Sequence, residues 1–238
     1  MFPYDPALQA AARPPRTIAD VLTALRAIDA ACIDGDGLKW FNWLYLQVTE
    51  AVAHRVAGGG FSDPAWLSEL DVQFAALYFS ALRTGLQGGG PGCWRALFAV
   101  RNNTRLGRVQ FALAGVNSHI NHDLPQAIVA TCEATGTAPV RGGAQFTDYT
   151  AVNATLDPLI QQAKTTLRVR LPGDALPPVS FLDNAIAAWG LAAARDKAWS
   201  ASEVLWHIRG TPPVAAAFMD SLDGLATVAS KVLLTPVP

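Results

Sequence analysis

Apolar residues recur at three- and four-residue spacing over long segments of the chain, and no stretch sustains the period-two alternation expected of a strand. The pattern predicts an all-α, single-domain bundle of roughly eight or nine helices. Thr17 caps a first helix with inward positions Ile18, Val21, Leu22, Leu25 and Ile28, and Asp34-Gly35-Asp36-Gly37 ends it. A second helix runs from about Leu38 to Ala57 and stops at Gly58-Gly59-Gly60, where backbone entropy opposes continuation. Ser62-Asp63-Pro64 opens a third, which carries Trp66, Leu70, Phe74, Leu77 and Leu82 to about Leu86. Shorter segments follow from Cys93 to Asn102 and from Thr104 to His122.

Pro125 should break the chain there, because proline lacks an amide donor and clashes with the carbonyl four residues back. Asp123 would then cap the next helix, with Gln126 at the third helical position, and that helix ends near Gly136. Thr147 or Asp148 opens a helix disturbed at Pro158, and Pro172 to Pro178 reads as a linker. A long helix from about Ser180 to Ile208 and a last one from about Pro213 to Leu234 complete the chain. No internal repeat appears, so residues 1–16 read as an irregular tail and 17–238 as one helical domain.

Composition narrows the function classes. Of 238 residues, 51% are hydrophobic and only 16% charged, enough apolar surface for a core without disulfide or metal support. Eighteen basic against 19 acidic residues leave a formal charge of -1, without the Lys/Arg excess that a nucleic-acid partner requires. No apolar run approaches the ~18 residues of a membrane span, and Met1-Phe2-Pro3-Tyr4-Asp5-Pro6 does not resemble a secretory leader. Cys32, Cys93 and Cys132 are odd in number and widely spaced, as expected of reduced thiols in a cytoplasmic protein and of small core residues.

Candidate chemistry centres on the histidines. Three of the four have a carboxylate four residues away: Glu50 with His54, His119 with Asp123, and Glu203 with His207. Acids make up about 8% of the chain, so chance alone gives a carboxylate at a three- or four-residue offset to about one histidine in four. The densest cluster is Asn117-Ser118-His119-Ile120-Asn121-His122-Asp123-Leu124-Pro125, which follows the apolar run Val109, Phe111, Leu113, Ala114, Val116. Polar groups in such a helix cannot all face water, and those pointing inward need partners.

On the functional reading, His119 is a general base or metal ligand oriented by Asp123, while Asn117 and Asn121 hold a polar substrate group. On the structural reading, Asp123 is a helix cap and the asparagines satisfy backbone groups freed by Pro125. Glu50 and Tyr45, from the second helix, are the candidate partners across a pocket. Tyr78 and Arg101 are further substrate-binding candidates, the latter from the run Arg95, Arg101, Arg105, Arg108 that otherwise reads as a solvated face. His119, His122 and Asp123 form half of a divalent transition-metal site. Phe41, Trp43, Tyr45, Tyr78, Phe79, Trp94, Trp189, Trp199 and Trp206 are core by default, or line a pocket for a flat ligand.

Two metal-dependent hydrolase families offer local likenesses. His122-Asp123 resembles the paired residues of HD phosphohydrolases, although His54 lies further upstream than that family places its first histidine. The segment Trp199 to Ile208 resembles the first metal-histidine segment of DinB-type bundles, but here it follows the other histidines instead of preceding them. A broader likeness covers nearly the whole chain. Phe41 to Glu50, Gln110 to Pro125 and Ala194 to Trp199 together resemble a bacterial family catalogued only as a domain of unknown function. That resemblance implies an all-helical single domain with Asn-x-His-Ile-Asn-x-Asp-Leu-Pro as its most recognisable motif, and it supplies no reaction. It also implies that Asn117, His119, Asn121 and Asp123 are better site candidates than His122, whose place can hold arginine.

The expectation is therefore an enzyme acting on a small, partly apolar molecule by His-centred acid–base or metal-assisted chemistry, of the hydrolase or lyase kind. The alternative is a non-catalytic module binding a small molecule or a protein, with the polar cluster serving as a core network. No oligomeric state follows from the sequence.

Overall fold

The computed structural model describes residues 9, 11, 13–85, 87–168 and 190–236. Among them the chain is helical, with no strand, and forms ten α-helices and one π-helical turn. These are α1 (Ile18–Ala31), α2 (Gly37–Ala57), α3 (Pro64–Gly85), α4 (Gly92–Ala99), α5 (Arg108–Ser118), the π turn (His119–Asp123), α6 (Leu124–Thr135), α7 (Ala144–Ala151), α8 (Asn153–Arg168), α9 (Leu191–Ile208) and α10 (Pro212–Leu233). The expected linker at Pro172 to Pro178, Trp189 and the start of the helix expected from Ser180 lie outside the described residues, as does most of the N-terminal tail.

Local chemistry accounts for the helix ends. Thr17 accepts from the Asp20 amide at 3.1 Å, and the Asp20 carboxylate accepts from the Thr17 amide at 3.0 Å, a reciprocal capping box. α1 ends earlier than Asp34-Gly35-Asp36-Gly37, at Ala31 with Cys32 as its cap, and Asp36 instead starts α2 by accepting from the Leu38 amide at 3.0 Å. Gly136, with φ of 67°, closes α6 in the left-handed conformation that glycine adopts without strain. Pro158 lies within the first turns of α8, and the expected single helix around it is two, with Val152 between α7 and α8.

The core forms around α2, which packs on α1 and α5, while α3 packs on α6, α6 on α9, and α10 on α4 and α5. The contact of α2 with α5 is reciprocal and close. A Cβ at Gly115 would strike the Phe41 ring, and a Cβ at Gly37 would strike the Phe111 ring, so each glycine gives room for an aromatic of the opposite helix. Trp66, Trp94, Trp199, Tyr78 and Phe79 are fully buried, as the core reading of the aromatics requires. All three cysteines are buried, and no disulfide joins them. Among the described residues no helix is long and apolar enough to cross a membrane.

The expected break at Pro125 is absent. Pro125 cannot donate to the Asn121 carbonyl as an α-helix would require. The helix widens instead: the Leu124 amide donates to the carbonyl of His119, five residues back, and the chain continues into α6. The Gln126 side chain donates to the His122 carbonyl at 3.0 Å. Asp123 consequently has helical φ and ψ of -80° and -39° and makes no cap, which corrects the structural role expected of it.

Candidate functional site

The π turn carries His119, Ile120, His122 and Asp123 into the core together and leaves only Asn121 half-buried. Asp123 is the hub. One carboxylate oxygen accepts from His119 Nδ1 at 2.9 Å and from Trp94 Nε1 at 2.9 Å, and the other from His122 Nδ1 at 2.7 Å. Burial disfavours the Asp123 charge, but the two histidine hydrogen bonds outweigh it and hold the carboxyl below its ordinary range.

The charge on Asp123 fixes the histidine tautomers. A carboxylate only accepts, so both Nδ1 atoms carry the hydrogen. Burial pulls His119 below the ordinary histidine range despite Asp123, so its ring is neutral at pH 7 and Nε2 is a free lone pair. Burial works the same way on His122, but there the bond to Asp123 prevails and its pKa is raised.

His119 lies in an aromatic cage, stacked on Phe74 with ring centroids 3.4 Å apart and edge-on to Tyr45 at 4.7 Å and Phe41 at 5.6 Å. It lines a cavity of about 100 Å³. The walls are almost wholly apolar, among them Leu44, Val48, Leu70, Phe74, Val116 and Leu156. His119 Nε2 is buried and has no hydrogen-bond partner. Such atoms are rare in folded proteins and call for an explanation.

The structure brings only some of the predicted site residues to this cavity. His119 and Tyr45 line it, and Asp123 lies directly behind His119. Glu50 does not reach it: its carboxylate pairs with Arg26 at 2.7 Å on the protein surface. Asn117 and Asn121 face α10 instead. Asn117 Nδ2 donates to the Ala226 carbonyl at 2.8 Å and to Ser230 Oγ at 3.0 Å, and Asn121 donates to Asn117 Oδ1 at 2.9 Å. Tyr78 is buried behind Phe41, with its hydroxyl 3.4 Å from Asn42 Oδ1. Arg101 is engaged by Asp36, and Arg108 is buried with its guanidinium 4.1 Å from the Trp40 ring centre, so the arginine run is solvated only at Arg95 and Arg105.

The metal set expected of His119, His122 and Asp123 does not have the geometry of a metal centre. His119 and His122 both aim Nδ1 at Asp123, whose two oxygens are already occupied by three donors, so the carboxylate and both Nδ1 atoms are spent on each other. Among the described residues no group of three or more His, Cys, Asp or Glu could hold a metal ion. The HD and DinB likenesses fare no better, since His54 and His207 are exposed on α2 and α9. Of the three histidine–carboxylate spacings, only His119 and Asp123 make a side-chain contact; His207 donates to the Glu203 carbonyl, not its carboxylate.

Two cavity residues escaped the sequence reading. Asp71 of α3 lines the cavity with one carboxyl oxygen buried and unpartnered, and burial pushes its pKa up to about 7. A signal was present: Leu67, Asp71, Phe74 and Tyr78 fall at four-, three- and four-residue spacing, so a carboxylate interrupts an otherwise apolar stripe. The other is Arg195 of α9, which donates to Asn153 Oδ1 at 2.8 Å and to the Tyr149 carbonyl at 2.7 Å. The Tyr149 hydroxyl returns a bond to the Arg195 carbonyl at 2.7 Å, so this arginine clamps α9 to α7 and α8.

Neither a curated protein nor a solved structure matches this chain. A family model does, over residues 18–236, and because that match spans nearly the whole sequence the protein belongs to the family of unknown function DUF5995.

Proposed function

We propose that the protein is an enzyme that takes a small, partly apolar molecule into the cavity and uses His119 Nε2 as a buried general base. The observation that carries this reading is the pairing of a fixed nitrogen with a free one. Nδ1 is tied to the Asp123 carboxylate, which orients the ring and stabilises the imidazolium formed when Nε2 takes a proton. Nε2 is buried, unpartnered and on an apolar cavity. The same low polarity that keeps the ring neutral strengthens its interaction with any proton donor admitted there.

The test compares the wild type with His119→Asn, whose amide can still donate to Asp123 but offers no basic nitrogen. Both are incubated with a small-metabolite extract and followed by mass spectrometry. Consumption of a low-polarity compound by the wild type alone supports catalysis. A compound that is bound by both and consumed by neither would replace the enzyme with a non-catalytic binding module.

A further inference from the structure

The cavity holds more than one polar atom without a partner. Tyr45 OH from α2, an Asp71 carboxyl oxygen from α3 and His119 Nε2 from the π turn are all buried and all belong to residues that line it; the Asp71 oxygen and His119 Nε2 have no partner, and the Tyr45 hydroxyl has only the Thr49 hydroxyl one turn along α2. Three separate elements thus bring polar groups to one apolar space. They are near one another: the Tyr45 and His119 rings are in contact at 4.7 Å, and Asp71 lies one turn before Phe74, whose ring stacks on His119 at 3.4 Å.

We infer that the cavity is built for an uncharged apolar molecule bearing one hydroxyl group, an alcohol or a phenol, whose oxygen is held jointly by His119, Tyr45 and Asp71. This rests on the reading of the cavity as a ligand site. The match is one of donors to acceptors. His119 Nε2 can only accept, the neutral Asp71 carboxyl donates its proton, and the Tyr45 hydroxyl donates its own. A hydroxyl offers one hydrogen and two lone pairs, which satisfies all three at once. A carbonyl oxygen would leave Nε2 bare, and a carboxylate would leave Nε2 without a hydrogen to accept.

Water offers the same donors and acceptors, but one water takes about 30 Å³, and the cavity of about 100 Å³ is otherwise apolar. The rest of the space is left to an apolar body. Arg195 directs its Nε and one terminal nitrogen at Asn153 Oδ1 and the Tyr149 carbonyl. The titratable or charged groups around Asp71 are Tyr45 from α2, His119 with Asp123 behind it, and Arg195 from α9; burial alone accounts for its raised pKa.

Calorimetric titration of the full chain with phenol, toluene and benzoate tests this. At pH 6, phenol should bind about tenfold more tightly than toluene, the size of one net hydrogen bond. Tyr45→Phe should shrink that gap several-fold with toluene unchanged. Between pH 6 and 8 the wild type should lose several-fold in phenol affinity as Asp71 gives up its proton, whereas Asp71→Asn, which keeps a donor at every pH, should not. Equal binding of phenol and toluene would overturn hydroxyl selection while leaving a ligand cavity. Benzoate binding tightest would overturn it in favour of an anion. A phenol preference untouched by Tyr45→Phe, with no pH dependence, would overturn the assigned residues. No binding of any probe would sink the cavity reading as well.

Discussion

The two flanks of the π turn are built from one short motif and have opposite hydrogen-bond states. On the α10 side, Asn117, Ser118 and Asn121 are joined to Ala226 and Ser230, and every side chain has a partner. On the cavity side, His119 Nε2 and an Asp71 oxygen face apolar walls without one, and the Tyr45 hydroxyl has only Thr49. Polar residues in a core are retained either because they are satisfied and fix the packing, or because something else completes them. The first flank secures a helix, and on the proposed function the second is completed by a ligand. Asp123 stands between them and gives the cavity side its one fixed direction.

The sharpest way to break this contrast is to remove its hub. Asp123→Ala strands both histidines and Trp94 Nε1, and should cost about 3–5 kcal/mol, the range for breaking a buried charge network. Urea denaturation measures it, and a loss under 1 kcal/mol would show that the network is not structural. Asp71→Asn should go the other way. The folded pKa of Asp71 is raised from 3.8 to about 7. The fold therefore has its full stability from this group below about pH 4 and loses it progressively as pH rises towards 7. At pH 8 the substitution should add about 2–4 kcal/mol and at pH 4 almost nothing, so melting curves at the two pH values check the sign.

Asn117→Ala should cost about 1–2 kcal/mol by releasing α10, while phenol affinity stays unchanged; a joint loss would mean that the two flanks act as one unit. His119→Asn should lose about 1 kcal/mol of stacking on Phe74 but all turnover. Least affected should be Glu50→Ala, within about 0.5 kcal/mol and without effect on the cavity, because its pair with Arg26 is exposed to solvent.

Much of the architecture was legible in the sequence because it is set by local chemistry. Thr17 with Asp20, the glycine run at 58–60 and Gly136 mark helix ends that nearby residues decide. The pairing of His119 with Asp123 was legible too, since four-residue spacing keeps its meaning in α and π geometry alike. Pro125 misled because its missing donor was absorbed by a change of pitch, which depends on α3, α9 and α10 packing around the turn. Glu50 and Asp71 show the remaining gap. Both are acids on amphipathic helices, and only the tertiary arrangement puts one beside Arg26 and the other in the cavity.

The π turn also acts as a phase shift written into the chain. Each residue of an α-helix rotates the next by about 100°, and a π turn holds one residue more than the α turn it replaces. Counted along the sequence, the inward positions of α6 are thereby offset by one residue from the register of α5, and α6 meets α3 and α9 while α5 meets α2 and α10. Removing a single residue between His119 and Asp123 would return the helix to α geometry and leave α6 facing its partners, because five residues of π turn rotate the chain about as far as four of α-helix. The turn is thus a one-residue insertion that the surrounding packing absorbs, and what the extra residue changes is the direction of His119 and Asp123 and not that of α6.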